Sequence, residues 1–353
     1  MDKPEIVING IRIPRGMRTT IDLPVAKLYT HSPIAMPVQV NRGRKSGPVL
    51  FISAAIHGDE LNGVEMLRRL LKLPMLKRLR GTLLAIPVVN VHGFIHHSRY
   101  LPDRRDLNRS FPGSERGSLA ARLAHLFMTE IVAQCTHGID LHTGAIHRTN
   151  LPQVRANLDD GETARLAEVF GVPVLLNAQV RDDSLREAAA DRGIPMLLYE
   201  AGEALRFDEL AIRAGVRGIV NVMRALEMLP PARTKKSPKK KPHRPVVARS
   251  SAWVRAPISG ILRIMVPLGA SVSKGGLLGV IADPFGERET EVLSPNDGVV
   301  IGRTNLPLAN EGDALFNIAR YKTIEQIAAQ VEAFHETHQP ERSETPDAEG
   351  PVF

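Results

Sequence analysis

Residues 49 to 60 decide the fold class: Val-Leu-Phe-Ile-Ser-Ala-Ala-Ile-His-Gly-Asp-Glu. The first eight are apolar or small, which is typical of a strand buried on both faces of a sheet. From Asp59 to Leu73 the apolar residues recur close to every 3.6 positions, which predicts a helix. A buried strand that leads directly into a helix is the repeating unit of α/β folds.

The same alternation continues to about residue 228, and it predicts an α/β domain with a mostly parallel central sheet. Further strands are predicted over Thr82–Val89, Gly138–His142 and Pro195–Glu200. Helices are predicted after Ser118, over Ser184–Asp191 and over Asp208–Met228.

The composition is that of a globular protein, with 353 residues of which 43% are hydrophobic and 24% charged. No apolar run approaches the roughly 20 residues that a membrane-spanning helix needs, and the first residues lack the apolar core of a secretory signal. Cys135 is the single cysteine, which excludes an internal disulfide and a cysteine-based zinc cluster. We therefore expect a cytoplasmic protein that does not interact with membranes.

The sequence divides into four regions. Residues 1–228 form the α/β domain and residues 229–248 a linker rich in proline and lysine. Residues 249–322 are predicted to form a small β domain, and residues 323–353 a helix followed by a disordered acidic tail. The net charge of +8 depends largely on seven cations in the linker, which favours a solubilising spacer over a polyanion-binding segment and makes nucleic acid an unexpected partner.

The predicted β domain contains an internal repeat. The segment Ala256–Arg263 is echoed by Ser294–Ile301 about 38 residues later, each combining proline, glycine and apolar residues. Two copies of such a unit are typical of a pseudo-symmetric β sandwich or flattened barrel.

Three residues whose side chains can bind a metal ion lie at the ends of predicted strands. His57 and Glu60 are three residues apart where the strand quoted above meets its helix, and His142 ends another strand of the same direction. Ligands bind at the carboxyl edge of such sheets. Two histidines and one carboxylate suit Zn²⁺ and leave a coordination position for water, which is the catalytic arrangement.

Two carboxylates are candidates for the base that such a site needs. Glu200 ends an apolar strand, where burial would raise its pKa, and Glu203 is the alternative. An arginine-rich loop over residues 98–109 contains Asn108 and Arg109, a pair that could hold a substrate carboxylate. A further arginine near the metal could polarise a carbonyl group.

Four motifs, taken together and in this order, resemble the succinylglutamate desuccinylase/aspartoacylase family of the zinc carboxypeptidase-like superfamily. They are His57-x-x-Glu60, Asp106-Leu-Asn-Arg109, Asp140-Leu-His142 and Glu200-Ala-Gly202, and the resemblance covers about residues 30 to 322. It implies a three-layer α/β/α domain followed by a β domain. It also implies one zinc ion per subunit, held by His57, Glu60 and His142.

The resemblance further implies a reaction, the hydrolysis of a small-molecule N-acyl amino acid by a zinc-activated water. In this reaction Glu200 would act as base and then as acid, and Arg99 would polarise the amide carbonyl. Asn108 and Arg109 would hold the substrate carboxylate. A zinc carboxypeptidase acting on small peptides and a non-catalytic zinc-binding regulatory protein of the same fold are the alternatives. The acyl group, the amino acid and any homo-oligomeric state are left open.

The β domain resembles the lipoyl/biotinyl barrel-sandwich hybrid. Members of that group that carry a cofactor need a lysine at a hairpin tip, whereas the corresponding segment Asp283–Thr290 contains none. We therefore expect no swinging cofactor, and a role for this domain in gating the active site or in assembly.

Overall fold

The computed structural model describes residues 5–177, 182–231, 246–248, 250–321, 331–334 and 337–338. The strands of the first 231 residues are β1 Ile6–Ile8, β2 Ile11–Ile13, β3 Arg18–Lys27, β4 Pro33–Arg42, β5 Lys45–Ala54, β6 Arg80–Ile86, β7 His137–Gly144, β8 Arg148–Ala156, β9 Val174–Asn177 and β10 Met196–Glu203. The α-helices are α1 Asn62–Leu70, α2 Val91–Ile95, α3 Leu119–Glu130, α4 Gly161–Phe170, α5 Leu185–Ala190 and α6 Glu209–Ala225. The later strands are β11 Val246–Ala248, β12 Ser250–Arg255, β13 Gly260–Ile264, β14 Ser271–Val272, β15 Leu277–Ala282, β16 Glu289–Leu293, β17 Gly298–Thr304, β18 Leu308–Ala309 and β19 Ala314–Arg320.

A large mixed sheet runs through the molecule in the order β12-β19-β17-β8-β10-β7-β5-β6-β4-β3. Strands β6, β5, β7 and β10 are parallel, whereas the pairs β3–β4, β4–β6, β8–β10 and β17–β8 are antiparallel. Strand β9 also pairs with β8 in parallel, so most strand pairs that the α/β domain contributes to this sheet are parallel as predicted, and the antiparallel pairs lie beside this centre. Parallel neighbours need a crossover connection, while the short turn between β3 and β4 forces an antiparallel pair.

Helices cover both faces of the central strands. Along β5, Leu50, Ile52 and Ala54 pack into one apolar core with α1, α4 and α6. Val49 and Phe51 point to the opposite core, which contains α3 and α5. Because successive side chains of a strand alternate between faces, one continuous apolar run supplies both cores. The result is a three-layer α/β/α arrangement.

Three of the helices begin at residues where the sequence predicted a helix start. Ser118, Ser184 and Asp208 each accept a hydrogen bond from a backbone N–H in the first turn of α3, α5 and α6. Such caps satisfy N–H groups that have no partner inside a helix. The sequence identified Ser118 as a cap, and the structure adds that Ser184 and Asp208 cap their helices in the same way.

The strands after residue 249 belong to two sheets. Strands β12, β17 and β19 extend the large sheet, since β17 pairs with β8, whereas β13, β15, β16 and β18 form a separate four-stranded sheet. An apolar core lies between them, including Leu278, Ile281 and Phe316. The segment Asp283–Thr290 contains the turn between β15 and β16. Division into an independent β domain with a barrel-sandwich form remains a prediction.

Some predicted segments lie partly outside the described residues. Of the linker predicted over 229–248, residues 232–245 are outside them, while Val246–Ala248 form the strand β11 beside β9. Residues 331–334 and 337–338 are helical, and the remainder of 322–353 is outside them. Among the residues that the structure describes, no helix is both long and apolar enough to cross a membrane.

Candidate metal centre

The carboxyl ends of β5 and β7 bring three side chains together. After β5 the chain turns at Ala55, whose φ of +50° lies in the left-handed region, and it reaches His57 and Glu60 before α1 begins. His142 lies near the end of β7. One donor atom from each of His57, Glu60 and His142 lies within 4.8 Å of the other two.

The Glu60 carboxylate lies between the two imidazoles. Its Oε1 is 2.7 Å from Nδ1 of His57, and its Oε2 is 2.8 Å from Nδ1 of His142. The backbone N–H of Thr143 also donates to Oε2, at 3.1 Å. All three ligand side chains are almost fully buried. The Nδ1 atoms and the carboxylate therefore face a common point.

Two further carboxylates fix the far side of each imidazole. Nε2 of His57 lies 3.1 Å from Asp106, and Nε2 of His142 lies 2.6 Å from Asp140. Ser53 donates to the other oxygen of Asp140 at 2.7 Å. Because ionised carboxylates only accept hydrogen bonds, they place the imidazole proton on Nε2 and leave Nδ1 free as a ligand.

Asp106 and Asp140 are positions of two of the sequence motifs, but no role was predicted for either residue. For Asp140 a signal was available, since residues two apart on a strand share a face and Asp140 is two before His142. For Asp106 there was none, because its contact with His57 joins residues 49 positions apart.

Charge coupling in this cluster is strong. Burial would by itself raise the pKa of Glu60, but the neighbouring His57 and His142 hold it well below its usual range. Burial would lower the pKa of each imidazole, but the carboxylates around it raise both, that of His142 especially. The two imidazoles thus favour the ionised form of the buried Glu60 carboxylate, a role that a divalent cation would take over.

The donor chemistry fits zinc. Two imidazole nitrogens and one carboxylate converge, each imidazole is oriented by a carboxylate, and three protein ligands are typical of catalytic zinc sites. His57, Glu60 and His142 would hold the ion.

Arg99 lies beside these ligands. Its guanidinium makes two hydrogen bonds to one oxygen of Asp106, at 3.2 and 2.8 Å. The remaining Nη1 is 3.2 Å from Nδ1 of His57 and 3.5 Å from Glu60. Asp106 therefore binds both the arginine and a ligand histidine, and it aims Nη1 at the point where the ligand atoms meet.

The structure places Asn108 and Arg109 in different environments. Asn108 is buried, and its side-chain oxygen accepts a hydrogen bond from the backbone N–H of Leu185 at 2.9 Å, which fastens the loop to α5. Arg109 is exposed, and its guanidinium donates to the backbone carbonyl of Asn108. The two side chains make separate contacts, and their role in holding a substrate carboxylate remains a prediction.

Glu200 lies on the strand next to His142, with which it is in register. Neighbouring strands are about 4.8 Å apart, so the two side chains share one face of the sheet. The Glu200 carboxylate accepts a hydrogen bond from Asn150 at 2.7 Å and pairs with Arg155 at 2.7 Å. Glu200 does end an apolar strand, as its sequence indicates, but β8 places these two polar side chains beside its carboxylate, and its role as base remains a prediction.

The Glu203 carboxylate is engaged by residues outside the candidate metal centre. Its carboxylate accepts hydrogen bonds from the backbone N–H of His147 at 3.1 Å and from the side chain of Asn305 at 2.9 Å. A register irregularity in β10 separates it from Glu200. These contacts tie the end of β10 to the turn after β7 and to the segment after β17.

Close backbone approach is required at Gly58, next to His57. A Cβ atom there would lie 1.9 Å from the backbone carbon of Gly93 in α2. Asn62, fully buried at the start of α1, donates to the carbonyl of Ala201 and accepts from the backbone N–H of Asp208. These contacts hold the ligand loop between α2 and the end of β10, and Asn62 was not identified from sequence.

Comparison with known proteins gives two sequence matches. Residues 46–226 match the model of the succinylglutamate desuccinylase/aspartoacylase catalytic domain. The chain is 26% identical over 300 residues to the N-alpha-acetyl-L-2,4-diaminobutyric acid deacetylase of Halomonas elongata. That match spans 81% of this chain and 86% of the relative.

Solved structures share the fold. The product-bound ectoine utilization protein EutE (DoeB) from Ruegeria pomeroyi superimposes with a TM-score of 0.75 at 23% identity, covering 86% of this chain and 94% of that one. A succinylglutamate desuccinylase/aspartoacylase from Rhodobacter sphaeroides gives 0.75 at 24% identity, with 86% and 95% covered.

Proposed function

The chain belongs to the succinylglutamate desuccinylase/aspartoacylase family, and from this premise we propose that it is a zinc-dependent amidohydrolase that releases an acyl group from a small N-acyl amino acid. The observation that carries the proposal is the convergence of His57, Glu60 and His142, with Arg99 beside them. The Halomonas relative is named for removing an acetyl group from a diamino acid, which supports a linear amide of an amino acid as the substrate class.

When bound, zinc would supply Lewis acidity and make a water molecule acidic enough to lose a proton near neutral pH. Arg99 presents Nη1 toward the ligand atoms, so a substrate amide carbonyl that enters there would meet a fixed positive charge. Such preorganised donors stabilise the negative charge that develops on oxygen in the transition state. Asp106 acts on this step by holding Arg99.

Glu200 is the proposed proton carrier. Its carboxylate faces the same side of the sheet as His142, and Arg155 and Asn150 hold it in a fixed position, as a positioned general base requires. It would accept the proton from water and return it to the leaving amine. The contacts of Glu203 with His147 and Asn305 favour a structural role for that residue.

Substitutions of glutamate by glutamine, which keep the side-chain shape and remove the ionisable carboxylate, test this assignment. We expect Glu200→Gln to retain about one zinc ion per chain and to lose at least a hundredfold in kcat, as is typical when a positioned base is removed. Glu203→Gln serves as the matched control, and it should keep most of the turnover. Both variants are assayed by amine release from a panel of N-acyl amino acids.

Two results would reject the proposal. The first is the absence of zinc-dependent amine release from every N-acyl amino acid in a panel that varies both the acyl group and the side chain. The second is turnover of the Glu200→Gln variant at the rate of the parent. Hydrolysis of small peptides but not of acyl amino acids would instead favour the carboxypeptidase alternative.

The proposed carboxylate-binding role of Arg109 has its own test. Replacing Arg109 by alanine should raise KM for substrates with a free α-carboxylate and leave KM for the corresponding esters almost unchanged, since only the carboxylate can pair with a guanidinium. An equal rise for both would remove Arg109 from the binding site.

A further inference from the structure

A concave site lies at the amino ends of the parallel strands β5 and β6, opposite the candidate metal centre. It is a cavity of about 1320 Å³, lined by residues 16–18, 41–45, 71–74 and 76–80, by Arg224 at the end of α6, and by Glu227 and residues 229–231 after it. We call it the amino-edge cavity. Strand β5 begins there at Lys45 and ends at Ala54 before the metal ligands, so roughly 30 Å of strand separates the two sites.

The lining of the amino-edge cavity is strongly positive. It contains six arginines and three lysines, against the single carboxylate of Glu227. Glu227 lies on the rim, 3.7 Å from Arg80. Five of the cations make neither an ion pair nor a side-chain hydrogen bond with any residue that the structure describes: Arg44, Lys45, Lys72, Lys77 and Arg78.

The partial negative charges of nearby helix ends do not balance the positive charge of the lining. Helices α1 and α6 both end beside the cavity, and a helix carboxyl end carries about −0.5 of an elementary charge. The two ends together offset about one of the nine positive charges. A large unbalanced positive charge therefore remains in one concave surface.

The wall of the cavity also holds a buried polar group without a partner. The side-chain nitrogen of Asn41, a residue that is 7% exposed, makes no hydrogen bond within the described part of the chain. Arg42, next to it and equally buried, donates to the carbonyl of Ile13. A buried N–H donor without an acceptor costs free energy, and an anion in the cavity could supply that acceptor.

The residue types of the lining favour phosphate groups over nucleic-acid bases and over a single carboxylate. Guanidinium groups match phosphate oxygens in pairs, and six of the nine cations are arginines. The lining has no aromatic side chain on which a nucleic-acid base could stack. Its charge also far exceeds that of one amino-acid carboxylate. The sequence that follows Pro231 does not supply a complementary charge, because residues 232–245 contain seven cations and no acid.

We propose that the amino-edge cavity binds a small multivalent anion that carries phosphate groups. This site is separate from the metal centre and does not depend on the proposed amide hydrolysis. Inorganic tripolyphosphate is a suitable probe, because it concentrates several phosphate charges in a molecule much smaller than the cavity.

Binding of tripolyphosphate to the full chain is measured by titration calorimetry at about 0.05 M and about 0.3 M salt. Neutralising three unpaired cations, Arg44→Ser with Lys77→Ser and Arg78→Ser, should weaken binding at least tenfold. Because all three side chains are exposed at the cavity rim, the variant should keep the melting temperature and the hydrolytic rate of the parent.

A matched variant controls for net charge. Arg192→Ser with Lys274→Ser and Arg288→Ser also removes three exposed cations, but none of them lines the cavity. It should bind tripolyphosphate within about twofold of the parent, since exposed charges beyond a Debye length are screened.

Three outcomes would overturn the proposal. One is the absence of tripolyphosphate binding to the parent at low salt, and another is an equal loss in both triple variants. The third is binding of single-stranded RNA, without tripolyphosphate binding, that is lost when Lys239, Lys240 and Lys241 are changed to serine. That result would assign anion binding to the linker and to a nucleic acid.

Discussion

Replacement of Asp140 by asparagine tests whether the carboxylate behind His142 tunes the metal centre. Asp140 is 1% exposed, and one of its oxygens lies 2.6 Å from Nε2 of His142. Asparagine has nearly the same shape and can still accept a hydrogen bond from Nε2 through its oxygen. The substitution therefore removes the negative charge while it keeps the hydrogen-bond geometry.

We expect the Asp140→Asn variant to bind zinc 10- to 100-fold more weakly, the usual effect of losing a carboxylate behind a ligand histidine. This corresponds to about 1.4 to 2.8 kcal/mol of binding free energy. The physical reason is that the charge makes Nδ1 of His142 a stronger donor to a cation. Zinc affinity is measured by competition with a chelator of known strength.

Ser53→Ala is the matched control, because it removes the hydrogen bond to the other oxygen of Asp140 and leaves the charge in place. It should weaken zinc binding much less than Asp140→Asn does. Melting of the metal-free proteins shows whether either variant is misfolded. Equal zinc affinities for the parent and a folded Asp140→Asn variant would refute the reasoning.

Three further predictions concern stability. Gly63→Ala should lower the free energy of unfolding in urea by about 1 to 2 kcal/mol, because the new Cβ would lie 2.7 Å from that of Leu141. The same substitution at Gly161, where the new Cβ would meet open space, should have no such cost. Ser118→Ala should cost about 1 kcal/mol through loss of the α3 cap, and an unchanged melting temperature would contradict this. Hydrogen bonds from the arginines of the next turn lower the pKa of Glu65 to about 2, so its contribution to stability is complete above its usual pKa of 4.5 and is lost as pH falls toward 2. Glu65→Gln should accordingly flatten the dependence of stability on pH over that range, and an unchanged slope would show that the ion pair contributes nothing.

The sequence alone identified the strand–helix alternation at the centre of the molecule. The apolar run of β5 is readable because a strand buried on both faces needs apolar residues at every position. Ser118 marked a helix start because its side chain satisfies a backbone N–H locally. His57 and Glu60 could be paired as ligands since they are three residues apart at one strand end.

What the sequence missed depends on contacts between distant segments. The antiparallel pairs β4–β6, β8–β10 and β8–β17 join strands that are not consecutive in the chain. The pairing of Glu200 with Arg155 and the fastening of Asn108 to α5 are of the same kind. Local periodicity carries no information about which strands become neighbours, so the polar environment of Glu200 could not be foreseen.

The sequence by itself determined which side chains are candidates for the metal centre and at which strand ends they lie, because both are properties of residue type and local pattern. Only the tertiary structure decided how these side chains are oriented. Asp106 reaches His57 and Arg99 together because a loop folds back over the sheet edge. The cations of the amino-edge cavity come from four separate segments, and only folding concentrates their charge in one place.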